Sequence, residues 1–234
     1  ELKEVGKHRD ITRARREKND VPVVAIVGYT NAGKSTLLNH LTDAKVLEED
    51  KLFATLDPTT RVLELDGHQQ ILLTDTVGFI RKLPHHLIEA FKSTLEEAKY
   101  ADYIFHVVDA SNPQMDKQMH IVYETLDRLG VRNKKIVTLF NKMDQRTDDE
   151  PLQDFRADHI LMISAARNEG LNEIKELVQE MLREDKVYVE RVVPYAQAGM
   201  IQLVREKGEL VSEEYVPEGI AIKAYVPMEV YGKL

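Results

Sequence analysis

Residues 28–35, with the sequence GYTNAGKS, match the pattern GxxxxGK[ST]. They follow an apolar run at 21–27 and lead into a helix-like segment at 36–41. In this strand–loop–helix setting, the glycines allow backbone N–H groups to close around a polyphosphate. Lys34 would place its charge on the β- and γ-phosphates, and the Ser35 hydroxyl would coordinate Mg²⁺. The segment therefore predicts a nucleotide phosphate site.

A second motif suited to phosphate chemistry is Asp75-Thr76-Val77-Gly78. A carboxylate at the end of a strand can reach Mg²⁺ through water, and the backbone N–H of Gly78 would face a γ-phosphate. DxxG is a weak signal when it stands alone. After a phosphate loop, and at the end of the third predicted strand, it indicates a γ-phosphate sensor.

The segment Asn141-Lys142-Met143-Asp144 also follows an apolar run and is suited to choosing the base. The Asp144 carboxylate can accept from N1–H and the exocyclic amine of guanine, and the Asn141 amide can address O6 and N7. Adenine lacks that pair of donors, and a desolvated carboxylate left unpaired costs about 1–3 kcal/mol. The Lys142 stem would lie along the base plane, and a backbone N–H of Ser164-Ala165-Ala166 could meet O6. The sequence therefore favours GTP over ATP.

Strand-like and helix-like segments alternate between these motifs. The run at 23–27 is apolar and β-branched, as in strands buried on both faces of a parallel sheet. Asp66-Gly67 between two alternating segments indicates a hairpin, so the second and third strands should be antiparallel. Strands are predicted at 23–27, 61–65, 70–74, 103–108, 136–140 and 160–163, and helices from 34 and at 85–99, 115–129 and 171–182. The predicted fold class is α/β, a P-loop GTPase domain with a six-stranded mixed, mostly parallel sheet flanked by helices.

Changes in pattern divide the chain into three predicted parts. Residues 1–20 are basic with few apolar side chains and indicate the end of a helical linker from a domain that precedes this chain. Pro22 marks the start of a GTPase domain over 21–185. Residues 186–234 predict a small α+β domain that we expect to be truncated, with a strand at 187–193, a helix at 196–205 and a hairpin at 210–216 and 220–226.

Composition limits the classes of function. A net charge of −8 argues against a general nucleic-acid-coating surface, and we expect no DNA partner. No apolar run approaches the ~20 residues that span a bilayer, so we expect no transmembrane segment. The absence of Cys excludes disulfides and thiolate metal sites and suits the cytoplasm. We expect a cytoplasmic monomer, with partial membrane association as the alternative.

The order of the motifs, from GYTNAGKS through DTVG and NKMD to SAA, resembles that of translation-factor-related GTPases over residues 21–182. Two longer segments, LFATLDPTTR at 52–61 and DTVGFIRKLPHHLIEAFKSTLEEA at 75–98, resemble the HflX family of ribosome-associated GTPases. The basic start of the chain is similar to the end of that family's linker. Residues 186–234 are similar to its small C-terminal domain.

The resemblance implies a role for each residue of the motifs. Thr55 would join Ser35 and Asp75 at Mg²⁺, with Thr59 and Thr60 as its rivals, and Lys34, Thr55 and Gly78 would act in hydrolysis. The implied nucleotide-binding set is Gly28, Tyr29, Thr30, Asn31, Ala32, Gly33, Lys34, Ser35, Thr36, Phe53, Ala54, Thr55, Leu56, Asp57, Asp75, Thr76, Val77, Gly78, Asn141, Lys142, Met143, Asp144, Ser164, Ala165 and Ala166.

Two positions bear on the rate of hydrolysis. Phe79 stands where Ras-like proteins carry a glutamine that orients the attacking water. A phenyl ring can neither orient nor deprotonate that water. We therefore expect slow turnover by the chain alone. In related GTPases, the asparagine at the position of Asn31 helps to hold K⁺ beside the phosphates. The alternative for Asn31 is a hydrogen bond to the backbone of switch I. His85 and His86 are read as residues of a helix start.

The combined reading is a GTP-hydrolysing switch with Mg²⁺ that acts on the large ribosomal subunit, through rRNA and protein. The resemblance implies a role in dissociation or rescue of stalled or idle ribosomes, and stimulation of hydrolysis by subunits. The alternative is a GTP-gated interaction module for tRNA modification or for a membrane partner.

Overall fold

The computed structural model describes residues 21–42, 59–76, 78 and 97–234. Five groups of predicted features lie outside these residues: the linker at 1–20, the segment Phe53, Ala54, Thr55, Leu56 and Asp57, the residue Val77, the position of Phe79, and most of the helix at 85–99. The end of that helix is seen, because residues 97–100 are helical. Within the described ranges, no helix is long and apolar enough to cross a membrane.

Six strands form one sheet, in the order β2-β3-β1-β4-β5-β6. The strands are β1 (Val23–Gly28), β2 (Thr59–Glu64), β3 (Gln70–Asp75), β4 (Tyr103–Asp109), β5 (Lys135–Asn141) and β6 (His159–Met162). β1 is parallel to both β3 and β4, and β4, β5 and β6 continue the parallel ladder. The sheet is mixed and mostly parallel, which confirms the predicted fold class.

The helices of this fold are α1 (Lys34–Leu41), α2 (Met115–Arg128) and α3 (Leu171–Arg183). In α2, Met119, Val122, Tyr123 and Leu126 recur at helical spacing and are buried. Three of them, Val122, Tyr123 and Leu126, share a core with residues of β1 and β4, so this face of α2 covers the sheet. Apolar side chains at the helical period thus fix where α2 lies.

The end of α2 shows why the helix predicted at 115–129 does not continue past Gly130. Gly130 has φ 72°, a left-handed conformation that glycine adopts readily. Its N–H donates to the carbonyl of Asp127, and the N–H of Val131 donates to the carbonyl of Leu126. These two hydrogen bonds form a Schellman motif, and the side chains of Val131 and Leu126 share one apolar cluster.

A buried polar network joins α2, β4 and β5 to the loop before β6. Asp154 accepts hydrogen bonds of 2.6 Å from the hydroxyls of Tyr123 and Thr138, and its Oδ2 lies 3.8 Å from Nδ1 of His106. Burial alone would raise the pKa of Asp154, but the neighbouring ring of His106 and the hydrogen bonds from Thr138 and Tyr123 together hold this pKa well below its usual range. Burial lowers the pKa of His106, so the ring is neutral at pH 7.

The chain forms two compact units, residues 22–63 with 71–176, and residues 64–70 with 177–234. The second contains a three-stranded antiparallel sheet in the order β7-β9-β8, with β7 (Val187–Val193), β8 (Glu209–Val216) and β9 (Gly219–Val226). Its helices are α4 (Gly199–Lys207) and the short α5 (Met228–Tyr231). The predicted domain boundaries at 20/21 and 185/186 stay a prediction.

The second unit has its own apolar core and an ion pair with a buried carboxylate. Ile201 and Val204 of α4 pack with Val189, Ile222 and Val226 of the small sheet. Arg183 donates to both carboxylate oxygens of Glu209, at 2.8 and 2.6 Å, and Glu209 is buried. A fork of this kind fixes geometry as well as charge. This unit therefore has a packed interior of its own.

Three predicted elements differ in detail from those observed. The turn at Asp66-Gly67 is longer than a two-residue hairpin, because a 3₁₀ turn at Asp66–His68 is closed by Leu65 N–H bonding the carbonyl of Gln69. α4 begins at Gly199, not at 196, because residues 195–197 form a separate 3₁₀ turn after Pro194. β2 begins at Thr59, two positions earlier than the alternation suggested.

Candidate nucleotide-binding site

The loop between β1 and α1 depends on two glycines for close approach. A Cβ at Gly28 would lie 2.3 Å from the carbonyl oxygen of Val107, on the neighbouring strand β4. Gly33 has φ 94°, and a Cβ there would lie 2.3 Å from Nδ2 of Asn141. Neither position can take a side chain without displacing its neighbour. The glycines predicted to wrap a phosphate are therefore also required by packing.

Lys34 begins α1 and is buried, with its Nζ facing the loop backbone. The ammonium donates to the carbonyl oxygens of Tyr29 at 3.1 Å and Gly28 at 3.4 Å. Burial lowers the pKa of Lys34, and the charge of Asp75 partly opposes this. Carbonyl oxygens thus occupy the place where phosphate oxygens would accept from the same cation. An anion there would stabilise the charged form that burial disfavours.

Gly78 lies directly against this loop. A Cβ on Gly78 would stand 2.8 Å from Cα of Thr30 and 3.0 Å from Nζ of Lys34. The DxxG glycine is therefore next to the cation predicted to hold the β- and γ-phosphates. The backbone of Gly78 can approach a phosphate in this position only because it has no side chain.

Ser35 and Asp75 form the oxygen pair predicted for a metal ion. Asp75 ends β3, in register with Ile26 of β1, and its Oδ2 accepts from the Ser35 hydroxyl at 2.7 Å. Thr76 follows and donates from its hydroxyl to the carbonyl of Ile26 at 2.7 Å, which anchors the motif to β1. A hydroxyl and a carboxylate are hard oxygen ligands of the type that Mg²⁺ prefers. Among the described residues no group of three His, Cys, Asp or Glu could hold a metal.

Asn141 joins the three loops of the site. Its Nδ2 donates to the carbonyl of Ala32 at 2.9 Å, and its Oδ1 accepts from the N–H of Ala165 at 2.9 Å. The side chain is buried, at 2% exposure. Sequence reasoning gave Asn141 a contact with the base and missed this bracing role, which a sequence motif does not reveal. The contact with O6 and N7 stays a prediction, and Ala166 is left as the candidate N–H donor to O6.

Asp144 lies at the edge of this arrangement, within a 3₁₀ turn at Met143–Gln145. Its Oδ1 accepts from the Ser164 hydroxyl at 2.7 Å, and its Oδ2 lies 3.7 Å from Nε of Arg167. Ser164 is itself fixed by two backbone bonds of 3.0 Å with Glu169. The carboxylate is therefore oriented through one oxygen. Sequence reasoning selected Ser164 because its backbone N–H could face the base. It did not predict that the Ser164 hydroxyl and Arg167 lie against Asp144.

Lys142 has a left-handed backbone, φ 64° and ψ 34°, which is uncommon for a residue with a side chain. Its Nζ donates to Oδ2 of Asp109 at 2.8 Å. Asp109 directly follows the strand predicted at 103–108, and sequence reasoning gave it no functional role. A charged residue directly after an apolar strand was the signal that could have identified it.

Both rivals of Thr55 for the role of switch threonine, Thr59 and Thr60, lie within β2. Thr60 lies within β2, and its hydroxyl is 3.0 Å from that of Thr74 in β3. A residue in this position belongs to the sheet. Thr55 lies outside the described residues, so its role stays a prediction. Tyr29, Thr30, Asn31, Ala32 and Thr36 lie where predicted, in the loop and the first turn of α1.

Comparison with known proteins agrees with this geometry. A family model described as MMR_HSR1, 50S ribosome-binding GTPase, matches residues 23–142. A protein named GTPase HflX from Lacrimispora saccharolytica is 62% identical over 234 residues, which cover all of this chain and 55% of that protein. Another from Caldanaerobacter subterraneus subsp. tengcongensis is 46% identical over 233 residues, with 54% of its length covered. The chain thus spans about half the length of these relatives.

Solved structures with the same fold include a GTP-binding protein from the hyperthermophilic archaeon Sulfolobus solfataricus in complex with GDP. It is 26% identical, its TM-score is 0.57, and the match covers 77% of this chain and 60% of that one. The chain therefore belongs to the 50S ribosome-binding GTPase family, and the resemblance to HflX that its sequence predicts is confirmed.

Proposed function

We propose that this chain binds GTP and hydrolyses it to GDP and phosphate. The observation that carries the proposal is the convergence of Lys34, Gly78 and the Ser35–Asp75 pair around one loop, which Asn141 ties to the base-reading segment. Charge, backbone and hydroxyl groups are arranged for a polyphosphate, and the neighbouring carboxylate suits guanine. A plain structural loop would not need a buried lysine aimed at its own carbonyls.

Each residue has a defined task in the proposed reaction. Lys34 exchanges the carbonyls of Gly28 and Tyr29 for phosphate oxygens and neutralises charge that builds up as the terminal phosphoryl group leaves. Gly78 presents its N–H to the same group. Ser35 and Asp75 would hold Mg²⁺, which neutralises phosphate charge when bound, with Thr55 as the proposed third residue.

Base selection is assigned to Asp144. Its Oδ1 is held by Ser164, so the carboxylate is fixed in direction before a base arrives. N1–H and the exocyclic amine of guanine would donate to it, whereas adenine lacks this pair of donors. The stem of Lys142 is proposed to lie along the base plane, and the N–H of Ala166 to face O6.

The water-orienting group is the part of the site that the motifs leave incomplete. Phe79 cannot position or deprotonate water, so we propose slow turnover alone and stimulation by the large ribosomal subunit. The family match and the HflX relatives support a ribosomal partner. Dissociation or rescue of stalled or idle ribosomes, through rRNA and protein contacts, is proposed as the role, in a cytoplasmic monomer. K⁺ held near Asn31 is the proposed alternative source of transition-state charge.

Turnover measurements test this proposal. Hydrolysis of GTP by the chain is measured in K⁺ and in Na⁺, with and without large subunits, and subunit binding is followed by co-sedimentation with a GTP analogue or GDP. We expect slow turnover alone, a rise of about 10³-fold or more with subunits if a missing group is supplied, and analogue-dependent co-sedimentation. Fast turnover alone in Na⁺, indifferent to subunits, would contradict both the incomplete site and the ribosomal partner.

A further inference from the structure

A carboxylate outside all of the nucleotide motifs contacts the lysine of the base-reading segment. Asp109 ends β4, and it lies in register with Asn141, which ends β5. Its Oδ2 accepts from Nζ of Lys142 at 2.8 Å. The side chain of Asp109 is 12% exposed and that of Lys142 is 21% exposed. This ion pair is therefore largely removed from water and has a fixed direction, unlike a pair on an open surface.

The Asp109 carboxylate is oriented independently of Lys142. Its Oδ1 accepts from the Ser111 hydroxyl at 2.6 Å and from the Ser111 N–H at 3.1 Å. The N–H of Asn112 bonds the carbonyl of Asp109 at 3.3 Å, which closes the turn after β4. A carboxylate held by its own turn can serve as an anchor. Lys142 is then the group that the anchor places.

The stem of Lys142 is fixed at both ends. At one end, the backbone of Lys142 has φ 64° and follows Asn141, which is bound to the phosphate loop. The proposed base reader, Asp144, lies two residues further along the chain. At the other end its Nζ is bound to Asp109. A chain of methylene groups held in this way presents an apolar surface of constant position. Long cationic side chains cover apolar partners with such stems while the charged end stays in a polar contact.

We propose that Asp109 is a positioning residue that holds the Lys142 stem against the face of the bound base and thereby slows nucleotide release. This inference rests on the proposed binding of guanine nucleotides. Asp109 touches no nucleotide and acts only through Lys142. A contact with the face of a purine does not depend on the groups at its edge, whereas the contacts of Asp144 do.

The test measures release of fluorescently labelled GDP and IDP from wild type, Asp109→Ala, Asp109→Asn, Lys142→Met and the Asp109→Ala/Lys142→Met double variant. The base of IDP lacks the exocyclic amine that would donate a hydrogen bond to Asp144. We expect Asp109→Ala to speed release of both nucleotides by the same factor, roughly 10- to 150-fold, as for loss of a hydrogen bond to a charged group. Lys142→Met should have a similar effect, and the double variant should add little to either. Asp109→Asn, which keeps an acceptor, should recover part of the loss.

Ser111→Ala is the matched control, because it removes one bond to Oδ1 and leaves the bond to Lys142 in place. Its release rates should stay within about threefold of wild type. Independent, additive effects of Asp109→Ala and Lys142→Met would overturn the inference, as would a changed ratio of GDP to IDP release. If wild type binds GDP and Asp109→Ala releases it at the wild-type rate, this inference alone fails; if wild type binds no GDP, the proposed function fails first.

Discussion

Replacement of Asn141 by alanine tests the bracing of the site most severely. The change removes one donor and one acceptor at once, and it leaves the carbonyl of Ala32 and the N–H of Ala165 without this partner in a buried region. Each buried group left unpaired costs about 1–3 kcal/mol, so the two together should lower the free energy of unfolding by about 2–6 kcal/mol. Against a total stability of about 5–15 kcal/mol, this is a large loss.

The assay is urea unfolding of nucleotide-free protein, followed by circular dichroism because the chain has no Trp. Asp144→Asn is the matched control, since it retains an oxygen for the Ser164 hydroxyl and leaves both bonds of Asn141 intact. The control should unfold within about 0.5 kcal/mol of wild type. If Asn141→Ala unfolds like wild type and only loses affinity for guanine nucleotides, Asn141 reads the base and does not brace the loops.

Three further predictions concern the phosphates, the base and pH. Lys34→Ala or Ser35→Ala should abolish nucleotide binding and turnover, since each removes a group aimed at the phosphates or Mg²⁺, and unchanged GDP affinity in both would refute the phosphate site. Asp144→Asn should shift preference from guanine toward xanthine, whose C2 carbonyl accepts from the new amide, and competition by XDP against GDP measures it. The lowered pKa of Asp154 and of His106 both mean that the unfolded chain binds more protons. Stability should therefore fall below about pH 6.5 as His106 takes up protons in the unfolded chain, and fall further below about pH 4 for Asp154. In Asp154→Asn the loss of stability below about pH 4, followed by urea titrations, should be smaller than in wild type, because other carboxylates with a lowered pKa still contribute. A loss equal to that of wild type would contradict the assignment.

The elements were predictable where one physical rule acted alone. β1 is a continuous apolar run and β4 is apolar except for His106 before its final Asp109, a pattern typical of buried strands, and the end of α2 followed from Gly130. The motifs predicted a phosphate loop, roles for Asp75 and Gly78, and a base-reading segment at 141–144, because phosphate or guanine chemistry calls for each residue type there. The extra length of the turn at Asp66–His68 was not predictable, since Asp-Gly serves turns of several lengths.

The bracing contacts could not be read from the sequence because they join residues far apart in the chain. Asn141 bonds Ala32 at a separation of 109 positions, and Lys142 bonds Asp109 at a separation of 33. Neither pairing has a local period or a turn signal. They depend on the strand order, which places the carboxyl ends of β1, β4 and β5 side by side. Register along the sheet thus decides which polar ends meet.

The central claim is that one site holds a phosphate chain and selects guanine. Its most direct test is displacement of fluorescently labelled GDP from this chain in Mg²⁺ by unlabelled GTP, GDP, ATP and ADP, with Asp144→Ala as the second sample. We expect GTP and GDP to displace the label at concentrations about 5- to 150-fold lower than ATP or ADP, since a carboxylate left without its donors costs about 1–3 kcal/mol. Asp144→Ala should lose that preference. Equal displacement by adenine and guanine nucleotides in wild type would contradict the central claim.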